Sequence, residues 1–204
     1  MKNDLILVID MQNAYRAGEP WGCDTFERSR TRIRQVLDAA EARGAAVCLT
    51  QFIADPNGTG TWADYNAVNK AINDDAWMNE LIDELKPYAA KYPVYSKSVY
   101  SSMHIPELRE AAKKAERVVI TGVVSECCVL STCLSLIDMG CRVLYLKDAC
   151  SGVDEAYEAA VLKILDGMSP LHVDIMRTGE YLSGSRSSPP YAPKARRQPA
   201  DRNR

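Results

Sequence analysis

Apolar residues along this chain fall into two alternating kinds of block. Short continuous runs at Leu5 to Ile9, Ala45 to Thr50, Val118 to Thr121, Val143 to Leu146 and Leu171 to Met176 read as strands buried on both faces. Between them, apolar positions recur at helical spacing. Phe26, Ile33, Val36, Leu37 and Ala40 form one such stripe, ended by Arg43-Gly44, and Asp24 with Glu27 resembles a capping box before it. Trp77, Leu81, Ile82 and Leu85 predict a second helix over 75–85, ended by Pro87. Pro106 at a first helical position, followed by Leu108, Ala111, Ala112 and Ala115, predicts a third. Val129 to Ile137, stopped by Gly140, and Glu155 to Gly167 complete the set. Pro93 to Ser96 is a short extended piece, and its proline suits a sheet edge. Gln51 to Asn66 reads as a polar, Gly-rich loop carrying Trp62 and Tyr65.

Strands alternating with helices predict an α/β fold, a three-layer α/β/α sandwich around a six-stranded, mainly parallel sheet. In the doubly wound order 3-2-1-4-5-6, strand 1 and strand 4 are neighbours and the crossover direction reverses between them. Asp10, at the carboxyl end of strand 1, then lies beside the turn Ser125-Glu126-Cys127-Cys128 at the end of strand 4. Ligands of open α/β sheets bind at such switch points.

The chain's 204 residues suit one domain, read as residues 1–182, followed by a segment 183–204 that is rich in Ser, Pro and Arg. That segment has six basic residues against Asp201 and no apolar period, so it reads as a disordered tail without a nucleic-acid or membrane partner. No run is long enough for a membrane span, and the N-terminus meets charge too early for a secretory leader, so a cytoplasmic location is expected. Seven cysteines without a C-x-x-C pair suit reduced thiols. With only His104 and His172 available, a histidine-built metal site or a Cys-His dyad has little material, and no metal or cofactor is expected.

The chemistry-bearing stretch is Arg117 to Asp148, in which a short polar loop delivers two thiols to a helix N-terminus. Unpaired N–H groups and the helix dipole favour a thiolate there. Adjacent helical residues point about 100° apart, so at most one of Cys127 and Cys128 can aim into the cleft; local sequence leaves open which. Asp10 is either a polar residue closing a strand or a carboxylate facing the cleft, and Lys97 is either a snorkelling surface residue or a buried cation. An ordinary thiol, with a pKa near ~8.5, is only a few per cent ionised at neutral pH and needs a base or a positive field.

Three blocks together resemble the isochorismatase-like cysteine hydrolases, a family that includes nicotinamidases, N-carbamoylsarcosine amidases, ureidoacrylate amidohydrolases and streptothricin hydrolases. They are Leu7-Val8-Ile9-Asp10-Met11-Gln12-Asn13, Lys97-Ser98-Val99-Tyr100-Ser101-Ser102, and Gly122-Val123-Val124-Ser125-Glu126-Cys127-Cys128-Val129, and the likeness runs over residues 4–177. The third is similar to the family's Gly-x-x-Thr-x-x-Cys-Val, which by resemblance selects Cys128 as nucleophile, with Asp10 as general base and Lys97 as the cation completing a triad. The resemblance also implies a non-proline cis peptide at Val123-Val124, an oxyanion hole from the backbone N–H groups of Val124 and Cys128, and a homo-oligomer, dimer or tetramer. The implied reaction is cleavage of a C–N bond in a small amide, ureide or lactam-like substrate through a thioester. Tyr15, Trp62, Tyr65 and Tyr100 are candidate pocket walls. The family's usual Asp-Phe after Gln-Asn is Ala14-Tyr15 here. Its nicotinamidases bind a metal through an aspartate and histidines after strand 2, where Gln51 to Pro56 offers no histidine, so a metal-assisted nicotinamidase is disfavoured. A non-catalytic binding member of the fold is the alternative of another class.

Overall fold

The computed structural model describes residues 3–184. Six strands, β1 (Asp4–Ile9), β2 (Ala46–Phe52), β3 (Val94–Lys97), β4 (Arg117–Val123), β5 (Val143–Ser151) and β6 (Val173–Met176), form one sheet in the order β3-β2-β1-β4-β5-β6. Every pairing in it is parallel. The expected order is therefore present, with β1 and β4 adjacent and the Pro-led β3 at an edge.

Alternation along β1 explains why its apolar run is continuous. Ile6 and Val8 join a core with Phe26, Ile33, Val36, Leu37 and Ala40 of helix α1 (Phe26–Arg43). Leu5, Leu7 and Ile9 join the opposite core. Helix α2 (Thr61–Val68) buries none of its own residues. The opposite core is built from α3 (Pro106–Lys114), α4 (Leu130–Asp138) and α5 (Glu155–Asp166), through Leu108, Cys133, Leu136, Val161 and Leu165. Helix α6 (Thr178–Ser183) returns to the first face through Tyr181. A strand flanked by helices on both faces has no polar side, so period-2 alternation is lost.

Several expectations are corrected. The N-cap of α1 is Thr25, with no side-chain cap bond; the Thr25 hydroxyl instead meets Ser151 Oγ at 2.8 Å and the carboxylate of Glu158, so the Asp24/Glu27 box does not form. The loop after β2 contains α2, which carries both Trp62 and Tyr65. The helix expected over 75–85 is broken into Ala76–Asn79 and a 3-10 turn, Asp83–Leu85. Between them the chain is extended and feeds the loop after β1: Asn13 N–H donates to Glu80 O and Ile82 N–H to Met11 O, each at 3.0 Å. Backbone groups of that loop need partners, and this demand overrides the helical period. Pro87 does not end a helix but lies in the first turn of Lys86–Ala89. Of the expected tail, Ser183 closes α6, and residues 185–204 lie outside the described residues.

At the switch point β4 approaches β1 very closely. Gly122 has φ +116°, and a Cβ there would sit 2.1 Å from Ile9 O, so only glycine allows this contact. The Val123-Val124 peptide that follows is cis.

Candidate active site

Asp10 leaves β1 with φ 51°, a left-handed conformation that aspartate tolerates better than most residues. Its N–H donates to Thr50 O at 3.1 Å. The Thr50 hydroxyl donates to Asp10 Oδ1 at 2.7 Å, and Lys97 Nζ lies 2.6 Å from Oδ2. Lys97 comes from the end of edge strand β3 and passes 5.5 Å from the centroid of the Phe52 ring on β2. Its ammonium also donates to Val99 O at 3.1 Å and to Cys128 Sγ at 3.2 Å. All three groups are removed from water: Asp10 is 0% exposed, Lys97 5% and Cys128 3%.

Cys128 sits in a π-helical turn, Ser125–Val129, that runs directly into α4. Val124 O accepts from Cys127 N–H at 3.0 Å and from Val129 N–H at 3.2 Å, the latter an i to i+5 bond. This wide turn separates the two thiols. Cys128 belongs to the core that contains Ile9 and Val129, whereas half-buried Cys127 packs against the opposite core. The segment after Lys97 is fastened to the same helix: Ser102 N–H donates to Thr132 Oγ1 at 2.9 Å, and Ser101 Oγ donates to Ser135 Oγ at 2.9 Å.

Electrostatics define the resting charges. Burial, and after it the Asp10 carboxylate, push the Cys128 thiol above its ordinary value, with Lys97 pulling the other way. Burial pulls Lys97 down, yet Asp10 and Cys128 outweigh it and hold its ammonium above the usual range. The Lys97 ammonium therefore sits between the Asp10 carboxyl group and a thiol whose ionisation burial opposes. Lys97 by itself does not yield the thiolate that local sequence favours, because desolvation outweighs it.

A cluster of aromatic rings is joined to this centre through Phe52, beside Lys97. Trp62 packs on Tyr100 with centroids 4.9 Å apart and on Tyr65 at 5.4 Å; Phe52 lies 6.1 Å from each of Trp62 and Tyr65. Trp21 bridges Tyr15 at 5.4 Å and Phe52 at 6.0 Å. Tyr15 is buried, and the nearby Cys128 and Asp10 add to burial in raising its phenol well above the ordinary range. Cys128 acts likewise on Tyr65 and Tyr100. Of the four pocket candidates from sequence, Tyr15, Tyr65 and Tyr100 thus feel the charge of Cys128, and Trp62 packs on two of them. A separate open groove of about 370 Å³, lined by Asp55, Asn66, Lys70 and Asp74 among others, contains none of these residues.

Sequence reasoning missed Thr50, Phe52 and Gln12. Thr50 and Phe52 end the strand beside β1, so the expected sheet order carried a signal for both. Gln12 clamps the Phe52 backbone, accepting from its N–H at 2.8 Å and donating to its carbonyl at 3.0 Å. It sits in the quoted first block, but nothing local marks that partner.

A parallel α/β sandwich with a buried carboxylate, ammonium and thiol at its switch point defines the class as an isochorismatase-like α/β fold. The isochorismatase domain family matches residues 4–178, and the chain belongs to this family of hydrolases. Its fold is similar to that of a cysteine hydrolase from Pseudomonas syringae pv. phaseolicola 1448A, at 20% identity and TM-score 0.77 over 89% of this chain and 91% of that one. The pyrazinamidase/nicotinamidase of Streptococcus mutans UA159 matches at 18% identity and TM-score 0.69, over 85% and 99%. The MAR1 ribonuclease of Caenorhabditis elegans matches at 20% identity and TM-score 0.69, over 90% and 81%. At these identities the likeness shows the fold alone. No curated protein matches the sequence.

Among the described residues no three His, Cys, Asp or Glu side chains are grouped to hold a metal ion, and no helix is long and apolar enough to cross a membrane. The donors after β2 do not fit the aspartate-and-histidine metal set described for nicotinamidases, since Asp55 has no histidine beside it in Gln51 to Pro56.

Proposed function

We propose that the protein is a cysteine amidohydrolase that cleaves a C–N bond in a small amide, ureide or lactam-like substrate, with Cys128 as nucleophile, Asp10 as general base and acid, and Lys97 as the fixed cation. The observation that carries this reading is the position of Lys97 Nζ, 2.6 Å from Asp10 Oδ2 and 3.2 Å from Cys128 Sγ, in an almost fully buried site. Asp10 takes the thiol proton as Sγ forms its bond to the substrate carbonyl. The oxyanion that results is bound by the N–H groups of Val124 and Cys128. As the C–N bond breaks, Asp10 returns the proton to the leaving amine, leaving a thioester. Asp10 then deprotonates a water that attacks the thioester, and the carboxylic acid leaves as the proton passes back to Sγ. A thiolate 3.2 Å from Lys97, at an effective dielectric of ~20, is stabilised by about 5 kcal/mol. That stabilisation matters once the proton has moved to Asp10.

The ring wall supports a flat substrate without a negative charge, because the one ammonium in the centre is already paired with Asp10. All seven cysteines are free, which supports action in a reducing, cytoplasmic compartment. Ammonia or amine release should be screened over a panel of small amides and ureides with the wild type and Cys128→Ala. Loss of turnover by a thousandfold or more in the variant is expected. Full retention of turnover would exclude the thioester route and favour a non-catalytic role for the triad.

A further inference from the structure

The polar groups of the centre are already matched to one another. An ammonium has three donors, and that of Lys97 has three partners in Asp10 Oδ2, Val99 O and Cys128 Sγ. Asp10 Oδ1 accepts from the Thr50 hydroxyl. None of these groups is spare for orienting the remainder of a substrate. Tyr15 differs from them: its side chain is 5% exposed, yet its hydroxyl has no hydrogen-bond partner among the described residues. Buried hydroxyls are paired in most folded proteins, so an unpaired one beside a reactive centre points to a ligand.

The chain holds this side chain firmly. Tyr15 closes the turn Asn13–Tyr15 just after β1; its N–H donates to Gln12 O at 3.2 Å and its carbonyl accepts from Cys23 N–H at 3.1 Å. Its ring packs on Trp21 with centroids 5.4 Å apart. Of the three phenols that feel Cys128 it is the most buried, Tyr100 being 36% exposed and Tyr65 intermediate. Cys128 is the foremost charge acting on Tyr15, ahead of Asp10, whereas Tyr100 acts on Tyr65, and Cys127 on Tyr100, before Cys128 does. Burial and these charges keep the proton on the Tyr15 phenol, which makes it a neutral donor and not a base.

We propose that the Tyr15 hydroxyl is a specificity-determining contact that donates a hydrogen bond to a neutral acceptor on the acyl part of the substrate. This rests on the amidohydrolase reading and narrows it: flat amides with such an acceptor near the scissile carbonyl are selected over those with a hydrocarbon ring. A site that holds a buried donor discriminates against a ligand that leaves the donor unpaired.

Isothermal titration calorimetry on the full chain carrying Cys128→Ala reads binding without turnover, so the result stands whether or not the thioester route does. The probes are benzamide and the pyridine-2-, 3- and 4-carboxamides, which keep its outline and add one ring acceptor. At least one pyridine isomer should bind about tenfold more tightly than benzamide. Adding Tyr15→Phe, which removes the oxygen alone, should abolish that preference while benzamide affinity stays within about twofold. In the otherwise wild-type chain Tyr15→Phe should leave Tm unchanged or raise it, because an unpaired hydroxyl adds no bond to the fold. A lowered Tm would show that the hydroxyl is bonded within the protein and would overturn the proposal. So would equal affinity for all four probes, binding by none of them, or a preference that survives Tyr15→Phe.

Discussion

Lys97 Nζ donates to Cys128 Sγ at 3.2 Å although β3 and β4 are separated by β2 and β1 in the sheet. The side chain bridges the two intervening strands above Phe52 and meets Asp10 on the way. One long cation thus couples the ends of three strands, and its removal strands the Asp10 charge. Lys97→Ala should cost about 3–5 kcal/mol of stability by urea denaturation, since breaking one side of a buried pair leaves the other uncompensated. It should also cut kcat/KM by at least a hundredfold; activity within a few-fold of wild type would show that the cation is structural only.

The Cys128 thiol is raised by burial first and by Asp10 second, so at pH 7 its thiolate fraction lies below that of an ordinary thiol. Its alkylation by iodoacetamide, followed by mass spectrometry, should therefore be slow at neutral pH and climb as pH rises past the ordinary thiol range. Asp10→Asn removes an anion and leaves Lys97, which shifts the thiol downward. The variant should be inactive in turnover yet alkylate faster than wild type at pH 7, a reversal that general disruption of the site would not produce.

Thr50 holds Asp10 Oδ1 through a 2.7 Å hydrogen bond in a region without water access. Thr50→Val should lower kcat by about tenfold, on the order of 1.4 kcal/mol, with KM little changed, and Thr50→Ser should recover most of it. If serine and valine behave alike, the hydroxyl does not position the base.

Gly122 should not accept a side chain. Gly122→Ala combines a φ of +116° with a Cβ 2.1 Å from Ile9 O, and should destabilise by more than ~3 kcal/mol or abolish folding. Gly140→Ala provides the comparison: φ is +78° but the space around it is open, so a loss of about 1 kcal/mol is expected in the same denaturation assay.

Trp62 lies on a helix that buries none of its own residues, so its rings fasten that helix to the rest of the site wall. Trp62→Ala should raise KM for ring-bearing amides several-fold while kcat changes little. An equal effect on the smallest acyclic amides would place Trp62 outside substrate contact.

What the amino-acid sequence determined by itself is local or follows from a rule of topology. The β-branched runs, the helical stripe of α1, Pro106 at the start of α3 and the alternation of elements each lie within about a dozen residues, where periodicity carries the information. From that alternation, the handedness and order of parallel sheets bring Asp10 to the turn of Cys127 and Cys128. The tertiary structure decided the rest. Local sequence could not choose between adjacent thiols; the π-helical turn does so, sending Cys128 to Lys97 and Cys127 to the opposite core. Nor could it see that residues 80–82 would be extended, because their partners are the backbone groups of Met11 and Asn13. The thiol's resting state also inverts the local expectation. Local sequence favours the thiolate, but the thiol is raised above its ordinary value by burial, and burial exists only once distant segments have packed together.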